Sequence, residues 1–177
     1  MVRDLYVGID PGAKGAIVIV KGSHIIDWMS FQSHAIKWEC DVNLLDEQPV
    51  RAFLDPYADR LETITIECPK ANTFGGKTSI NSVSTLRGYV GQLMSISGSY
   101  DVVRRLVDPQ AWQRHHGFKK TTDRKVKDIV QEQFLGIYPD LCKFKYELEG
   151  AMDGYYVAQW GQAQNILLQS LLSVNYI

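Results

Sequence analysis

The segment YVGIDPGAKGAIVIV, residues 6–20, limits the fold more than any other stretch of this chain. Two apolar runs rich in β-branched residues flank a Pro11-Gly12 turn, which reads as a strand, a tight turn and a second strand. A third run, HIIDWMSF, follows the turn Lys21-Gly22-Ser23, and the three together predict an antiparallel meander. One carboxylate, Asp10, stands at the end of the first strand above a glycine-rich hairpin.

The remainder alternates. NLLDEQPVRAFLDPYADR has helical spacing interrupted by Pro49 and Pro56, and TITIEC is a short strand with Glu67 near its C-terminal end. PKANTFGGKTSIN is a loop by composition. SVSTLRGYVGQLMSIS predicts an amphipathic helix with Val83, Leu86, Val90, Leu93 and Met94 on one stripe. YDVVRRLV is a strand, and Asp108-Pro109 then caps and opens a helix. TTDRKVKDIVQEQFLG predicts a helix with Thr122 as N-cap and Gly136 as its stop, and ELEGAMDGYYVAQWGQAQNILLQSLL a long C-terminal helix. That order predicts an α/β fold: a mixed five-stranded sheet, three-stranded antiparallel meander plus two parallel strands, flanked by helices. Strands that return through a helix run parallel to the first, and sites in such sheets lie beyond their carboxyl ends. Asp10 and Glu67 both sit at such ends.

A length of 177 residues suits one domain, 1–177, with a proper core. The net charge of −1 offers no support for a nucleic-acid partner, so the distribution of charge has to be read instead. Cys40, Cys68 and Cys142 are odd in number and widely spaced, which suggests reduced thiols in a cytoplasmic protein rather than disulfides or a zinc site. The first residues enter a strand pattern directly, so no signal peptide is expected, and no apolar run approaches membrane-spanning length. The apolar tail NILLQSLLSVNYI is expected to pack on the domain or on a second subunit.

Asp10 and Glu67 end neighbouring strands, and Glu149 and Asp153 are four apart on one face of the last helix. Like charges at that spacing oppose helix formation by roughly 0.2–0.5 kcal/mol, a sign that a cation between them reverses. Gly150, Ala151 and Gly154 let the helix approach the sheet closely. Carboxylates without His or Cys are hard oxygen ligands that suit Mg²⁺ or Mn²⁺. Two such ions about 3.5–4 Å apart can activate a water and stabilise a departing oxygen in phosphodiester hydrolysis. Singly, each acid also suits a plain role: turn residue, strand end or solvated helix face. The joint placement is what points to a metal site.

GIDPGAKGAI, TIECPKA, DPQAWQRHHGFKK and GAMDGYYVAQWG, in this order and spacing, resemble the RuvC family of Holliday-junction resolvases, most closely its compact phage-type members. The resemblance spans about residues 4 to 162. It implies the RNase H-like fold, a homodimer, and Mg²⁺- or Mn²⁺-dependent cutting of four-way and other branched DNA. The nicks would fall symmetrically on strands of like polarity and leave 5′-phosphate and 3′-hydroxyl ends. By match to the motifs, Asp10, Glu67 and Asp153 would be metal ligands and Glu149 the fourth acid. The family usually has Asp or His in that fourth place, so Glu147 or a water is an alternative there. If the gene is phage-borne, the implied location is the host cytoplasm. The resemblance implies no nucleotide cofactor and no membrane partner. Actin-like and sugar-kinase folds also start with D-x-G-x-x-x-x-G-like hairpins, but those need two domains and a second phosphate loop, and 177 residues are too few.

Residues 104 to 127 concentrate Arg104, Arg105, Arg114, Lys119, Lys120, Arg124, Lys125 and Lys127 against Asp108 and Asp123, a local +6 that bulk composition hides. Such a patch is either a solvated face or an electrostatic footprint for phosphates. Arg114, Lys119, Lys120, Arg124 and Lys125 are candidate DNA contacts; Lys119 and Lys120 stand in a loop where the family binds the backbone. Lys14 in the first hairpin is another. In the loop after Glu67, Lys70 and Lys77 are phosphate-contact candidates. Phe74 there either folds onto the core or, as an aromatic residue in this region of the family can, wedges between bases. Trp112 is expected in the core, and His115 and His116 on the surface. The helix 79–97, with Gly88 and Gly91, corresponds to the family's dimer helix. Rival readings are an RNase H-like nuclease acting on RNA–DNA hybrid or structured RNA, a junction-binding module without chemistry, and an ATP-binding actin-like fragment.

Overall fold

A computed structural model describes residues 2–12, 14–31, 35–37, 43–68, 80–141 and 145–174. The main sheet has five strands: β1 (Leu5–Asp10), β2 (Ala16–Lys21), β3 (His24–Ser30), β6 (Leu61–Glu67) and β7 (Val103–Val107), in the order β3-β2-β1-β6-β7. β1, β2 and β3 pair antiparallel; β6 and β7 join parallel to β1. This is the meander plus two parallel strands expected from the sequence. A short ribbon of β4 (Ala35–Lys37) and β5 (Asn43–Leu45) adds two strands not anticipated; Asn43–Leu45 opens the stretch whose spacing reads as helical, and three residues are too few for periodicity to separate strand from helix.

The helices are α1 (Glu47–Leu54), α2 (Ile80–Ser97), α3 (Pro109–His115), α4 (Val126–Ile137) and α5 (Lys145–Val174). The helical stretch after β5 divides in two. α1 is capped by Asp46, whose side chain accepts from the Gln48 N–H, and a 3-10 helix at Asp55–Arg60 carries Pro56 in its first turn. The α4 boundaries also differ from those expected. Thr121 Oγ1 accepts from the Arg124 N–H, so the turn before the helix is closed one residue earlier than Thr122 and α4 begins only after Lys125. Gly136 lies inside the last turn; the helix stops at Tyr138, which precedes Pro139 and is held out of the helical region.

Strand alternation divides the interior into two cores. Leu5, Val7, Ile9, Ile17, Ile19, Ile64 and Ile66 pack with Val50, Leu54, Tyr89, Leu93 and Ile96 of α1 and α2. Val18, Val20 and Val107 pack on the other side with Trp112, Phe118, Phe134, Met152, Tyr155 and Tyr156. α5 crosses that second face and lies on β1, β2 and β6. Among the described residues, no helix is long and apolar enough to cross a membrane. The far end of α5 leaves Ile166, Leu167, Leu168, Leu171 and Leu172 exposed.

Candidate active site

Period-two alternation decides which way the acids point. In β1 the odd residues Leu5, Val7 and Ile9 fill the α1–α2 core, so Gly8 and Asp10 face α5. In β6, Ile64 and Ile66 fill the same core, so Thr63, Thr65 and Glu67 face α5. The parallel ladder pairs Gly8 with Thr65 and Ile9 with Ile66, which makes Asp10 and Glu67 the next residues on adjoining strands.

α5 comes down on this face through small residues. A Cβ built on Gly8 would lie 2.0 Å from the Gly154 carbonyl oxygen and 2.3 Å from the Ala158 nitrogen. A Cβ on Gly150 would lie 2.6 Å from the Lys14 carbonyl oxygen. Backbone therefore meets backbone along the seam, and Asp153 is carried in beside the strand-end acids. At the hairpin, Gly12 adopts φ 151°, a conformation that side-chain-bearing residues rarely take, and its carbonyl accepts from the Gly15 N–H at 3.0 Å.

The electrostatics record this convergence. Asp10 is held well above the usual carboxylate range, first by burial and then by the charges of Glu67 and Asp153. Asp153 is pushed up to about 8 by burial, with Glu67 and Glu149 adding to the shift and Lys127 opposing it. Glu67 is raised to about 7 by burial; a hydrogen bond from Trp112 lowers it and the charge of Asp108 raises it. All three residues keep some surface at the mouth of the site. Like charges so confined disfavour their own ionised forms, and a bound cation reverses that.

Two of the acids have partners of their own. Trp112 Nε1 donates to Glu67 Oε2 at 2.7 Å, and Lys127 Nζ lies 2.8 Å from Glu149 Oε2. Among the described residues, no three His, Cys, Asp or Glu side chains are gathered closely enough to hold an ion as they stand. The donor set is nonetheless all oxygen, the chemistry that suits Mg²⁺ or Mn²⁺.

Sequence reasoning missed three neighbours of these acids: Lys127 as the cation facing them, Asp108 as a charge beside Glu67, and the Trp112 N–H. The register was the available clue. Glu67 pairs with Val107, so the Asp108-Pro109 start of α3 lies beside Glu67, and Trp112 is one turn further on. Asp108 Oδ1 accepts from the Gln110 N–H, the cap expected from the sequence.

The candidate DNA-contact residues divide. Lys14, Arg114, Lys119, Lys120, Arg124 and Lys125 are exposed. Arg124 pairs with Glu132, and Arg114 Nε donates to the Gln110 carbonyl at 3.2 Å. Lys70, Phe74 and Lys77 lie outside the described residues, as do Cys40 and Cys142. Cys68 is a free thiol. Trp112 is buried as expected. His115 is exposed, but His116 is half-buried, with Nε2 3.0 Å from the Tyr156 carbonyl oxygen and its ring against Phe118 and Tyr156.

A meander extended by two parallel strands, with a long helix laid across the strand-end acids, defines the RuvC-like, RNase H-type α/β fold. No known family profile and no curated protein matches the sequence. Among solved structures, that of Thermus thermophilus RuvC superposes with a TM-score of 0.57 at 12% identity, covering 90% of this chain and 96% of that one. T. thermophilus RuvC in complex with a Holliday junction substrate gives a TM-score of 0.48 at 12% identity, covering 87% and 90%.

Proposed function

We propose that residues 1–177 form one nuclease domain that resolves Holliday junctions and other branched DNA by metal-dependent phosphodiester hydrolysis. The observation that carries this reading is the placement of Asp10 and Glu67 at the carboxyl ends of the adjoining strands β1 and β6, with α5, which carries Asp153, packed backbone to backbone across that face. Asp10, Glu67 and Asp153 would hold two Mg²⁺ or Mn²⁺ ions, with Glu149 as the fourth ligand once it parts from Lys127. When bound, such ions activate water and stabilise the departing oxygen. The chain's own contribution is to place Asp10 and Glu67 at adjoining strand ends and to lay α5, which carries Glu149 and Asp153, across that face. Lys127 offers a positive charge that either balances Glu149 or contacts a phosphate.

Lys119 and Lys120 extend from the loop after Phe118, which is anchored in the α5-side core. They are suited to grip the backbone, with Arg114, Arg124, Lys125 and Lys14 as further contacts and Lys70, Phe74 and Lys77 from the loop after Glu67. The homodimer is supported by α2, whose outward side carries Ser84, Arg87, Gly91 and Ser95 at helical spacing. Nothing lies within 4 Å of a Cβ built on Gly88 or Gly91, so a second copy could approach closely there. A two-fold dimer matches a two-fold junction with one site per continuous strand. The reading implies a cytoplasmic protein.

The test is a synthetic mobile four-way junction incubated with Mg²⁺ and with chelator, with cuts mapped on every strand. Paired symmetric nicks bearing 5′-phosphates, lost with chelator and in Asp10→Asn, support the reading. Cleavage of an RNA–DNA hybrid in place of the junction, or metal-independent binding without any nick, would overturn it.

A further inference from the structure

Trp112 is among the most deeply buried side chains, 1% exposed, yet its one polar atom is spent on the candidate site. A buried indole N–H needs an acceptor. Here the acceptor is Glu67 Oε2, at 2.7 Å. The ring itself packs against two other aromatic rings. It is parallel to Tyr156, with centroids 6.2 Å apart and planes at 1°, and edge-on to Phe118 at 6.3 Å and 84°. Tyr156 lies three residues after Asp153 on α5, and Phe118 immediately precedes Lys119 and Lys120. A side chain with two torsions, clamped in this way, gives its N–H a fixed direction.

From this geometry we infer that Trp112 is a positioning residue: its indole N–H holds the Glu67 carboxylate in one orientation and so sets how readily Glu67 ligates a divalent cation, acting through Glu67 rather than on DNA. The inference rests on the metal-dependent reading above. The hydrogen bond takes one lone-pair direction of Oε2 and leaves the rest of the carboxylate for other ligands. It also ties β6 to α3 and, through Tyr156, to the helix that carries Asp153. Partners of this kind typically change metal affinity or activity by about 10–100-fold when removed.

Trp112→Phe keeps an aromatic ring between Tyr156 and Phe118 and removes only the donor and part of the volume. Mn²⁺ alone, titrated into the DNA-free protein by calorimetry, is expected to bind about 10-fold or more weakly in this variant. On a four-way junction, kcat should fall in the same proportion with KM little changed. A second readout uses the unaltered protein, ¹⁵N-labelled on its tryptophan indoles. One of the four indole resonances, the one absent from Trp112→Phe, should shift on addition of Mg²⁺ and be displaced in Glu67→Gln, the other three tryptophans supplying the reference resonances. If Trp112→Phe does not fold, the resonance displaced in Glu67→Gln identifies the donor instead. Mn²⁺ affinity and kcat within twofold of the parent protein, or no indole that responds to both perturbations, would overturn the inference. The two layers fail separately. Full nicking by Asp10→Asn sinks the nuclease mechanism; an inactive Asp10→Asn beside a fully active Trp112→Phe sinks only the positioning role.

Discussion

The seam between β1 and α5 yields a graded prediction. A Cβ at Gly8 would stand 2.0 Å from a backbone oxygen, and ordinary contact begins at 3.4 Å, so Gly8→Ala forces the helix and strand apart by about 1.4 Å. At Gly150 the nearest atom is backbone at 2.6 Å, a displacement of about 0.8 Å; at Gly154 it is a methyl of the buried Val18 at 2.9 Å, about 0.5 Å, with the Gly8 carbonyl oxygen next at 3.3 Å. Overpacking of this kind costs about 1–3 kcal/mol, and more where backbone resists. The two helical positions recover up to ~1 kcal/mol from the better helix propensity of alanine. Gly154→Ala should therefore be the mildest, destabilised by up to about 1 kcal/mol, Gly150→Ala by about 1–2 kcal/mol, and Gly8→Ala by about 3 kcal/mol or more. Activity should follow the displacement rather than the stability, because a misplacement near 1 Å can cost about 100-fold in rate. Thermal denaturation and single-turnover cleavage of a four-way junction, on all three variants, provide the check. If Gly8→Ala matched the parent in both, or if the three ranked in another order, backbone contact would not be what sets the distance from Asp10 to Asp153.

In the metal-free protein, the raised Glu67 and Asp153 mean that the folded state binds protons more tightly than the unfolded chain. Stability should fall as pH rises from the ordinary carboxylate range to about 8, and added Mg²⁺ should restore it. Asp10→Asn should then raise Tm of the metal-free protein at pH 8 more than at pH 5 while abolishing cleavage; an equal shift at both pH values counts against charge repulsion. Lys127 opposes the upward shifts of Asp10 and Asp153. Lys127→Met should therefore move the acid limb of the pH–rate profile to higher pH, and an unmoved limb would remove Lys127 from the field of the site. Lys119→Ala and Lys120→Ala should weaken junction binding and each reduce the slope of log affinity against log salt by about 1, measured in Ca²⁺ to prevent cutting. An unchanged slope means that neither lysine meets a phosphate.

Much of the architecture was legible because apolar runs bounded by turn residues carry their own period. β1, β2, β3, β6, β7 and the Asp108-Pro109 start of α3 were read from such local patterns. The start of α4 was not. Neither of the adjacent threonines caps it: Thr121 closes the preceding turn with Arg124, and the helix starts after Lys125 with no side-chain cap. The ribbon β4–β5 escaped because three residues hold too little of a period-two pattern to register.

For the candidate site, the acids were legible and their neighbours were not. Asp10 and Glu67 follow from strand ends, and Glu149 and Asp153 from helical spacing, since each signal lies within a few residues along the chain. The Trp112–Glu67 hydrogen bond spans 45 positions, and the Lys127–Glu149 pair joins two helices. No local pattern encodes which buried N–H meets which carboxylate. The sequence by itself determined the elements, the acid types and the small residues that allow close approach. Only the tertiary structure decided the partners, because desolvation and Coulomb interaction depend on distance through space, which chain separation does not predict.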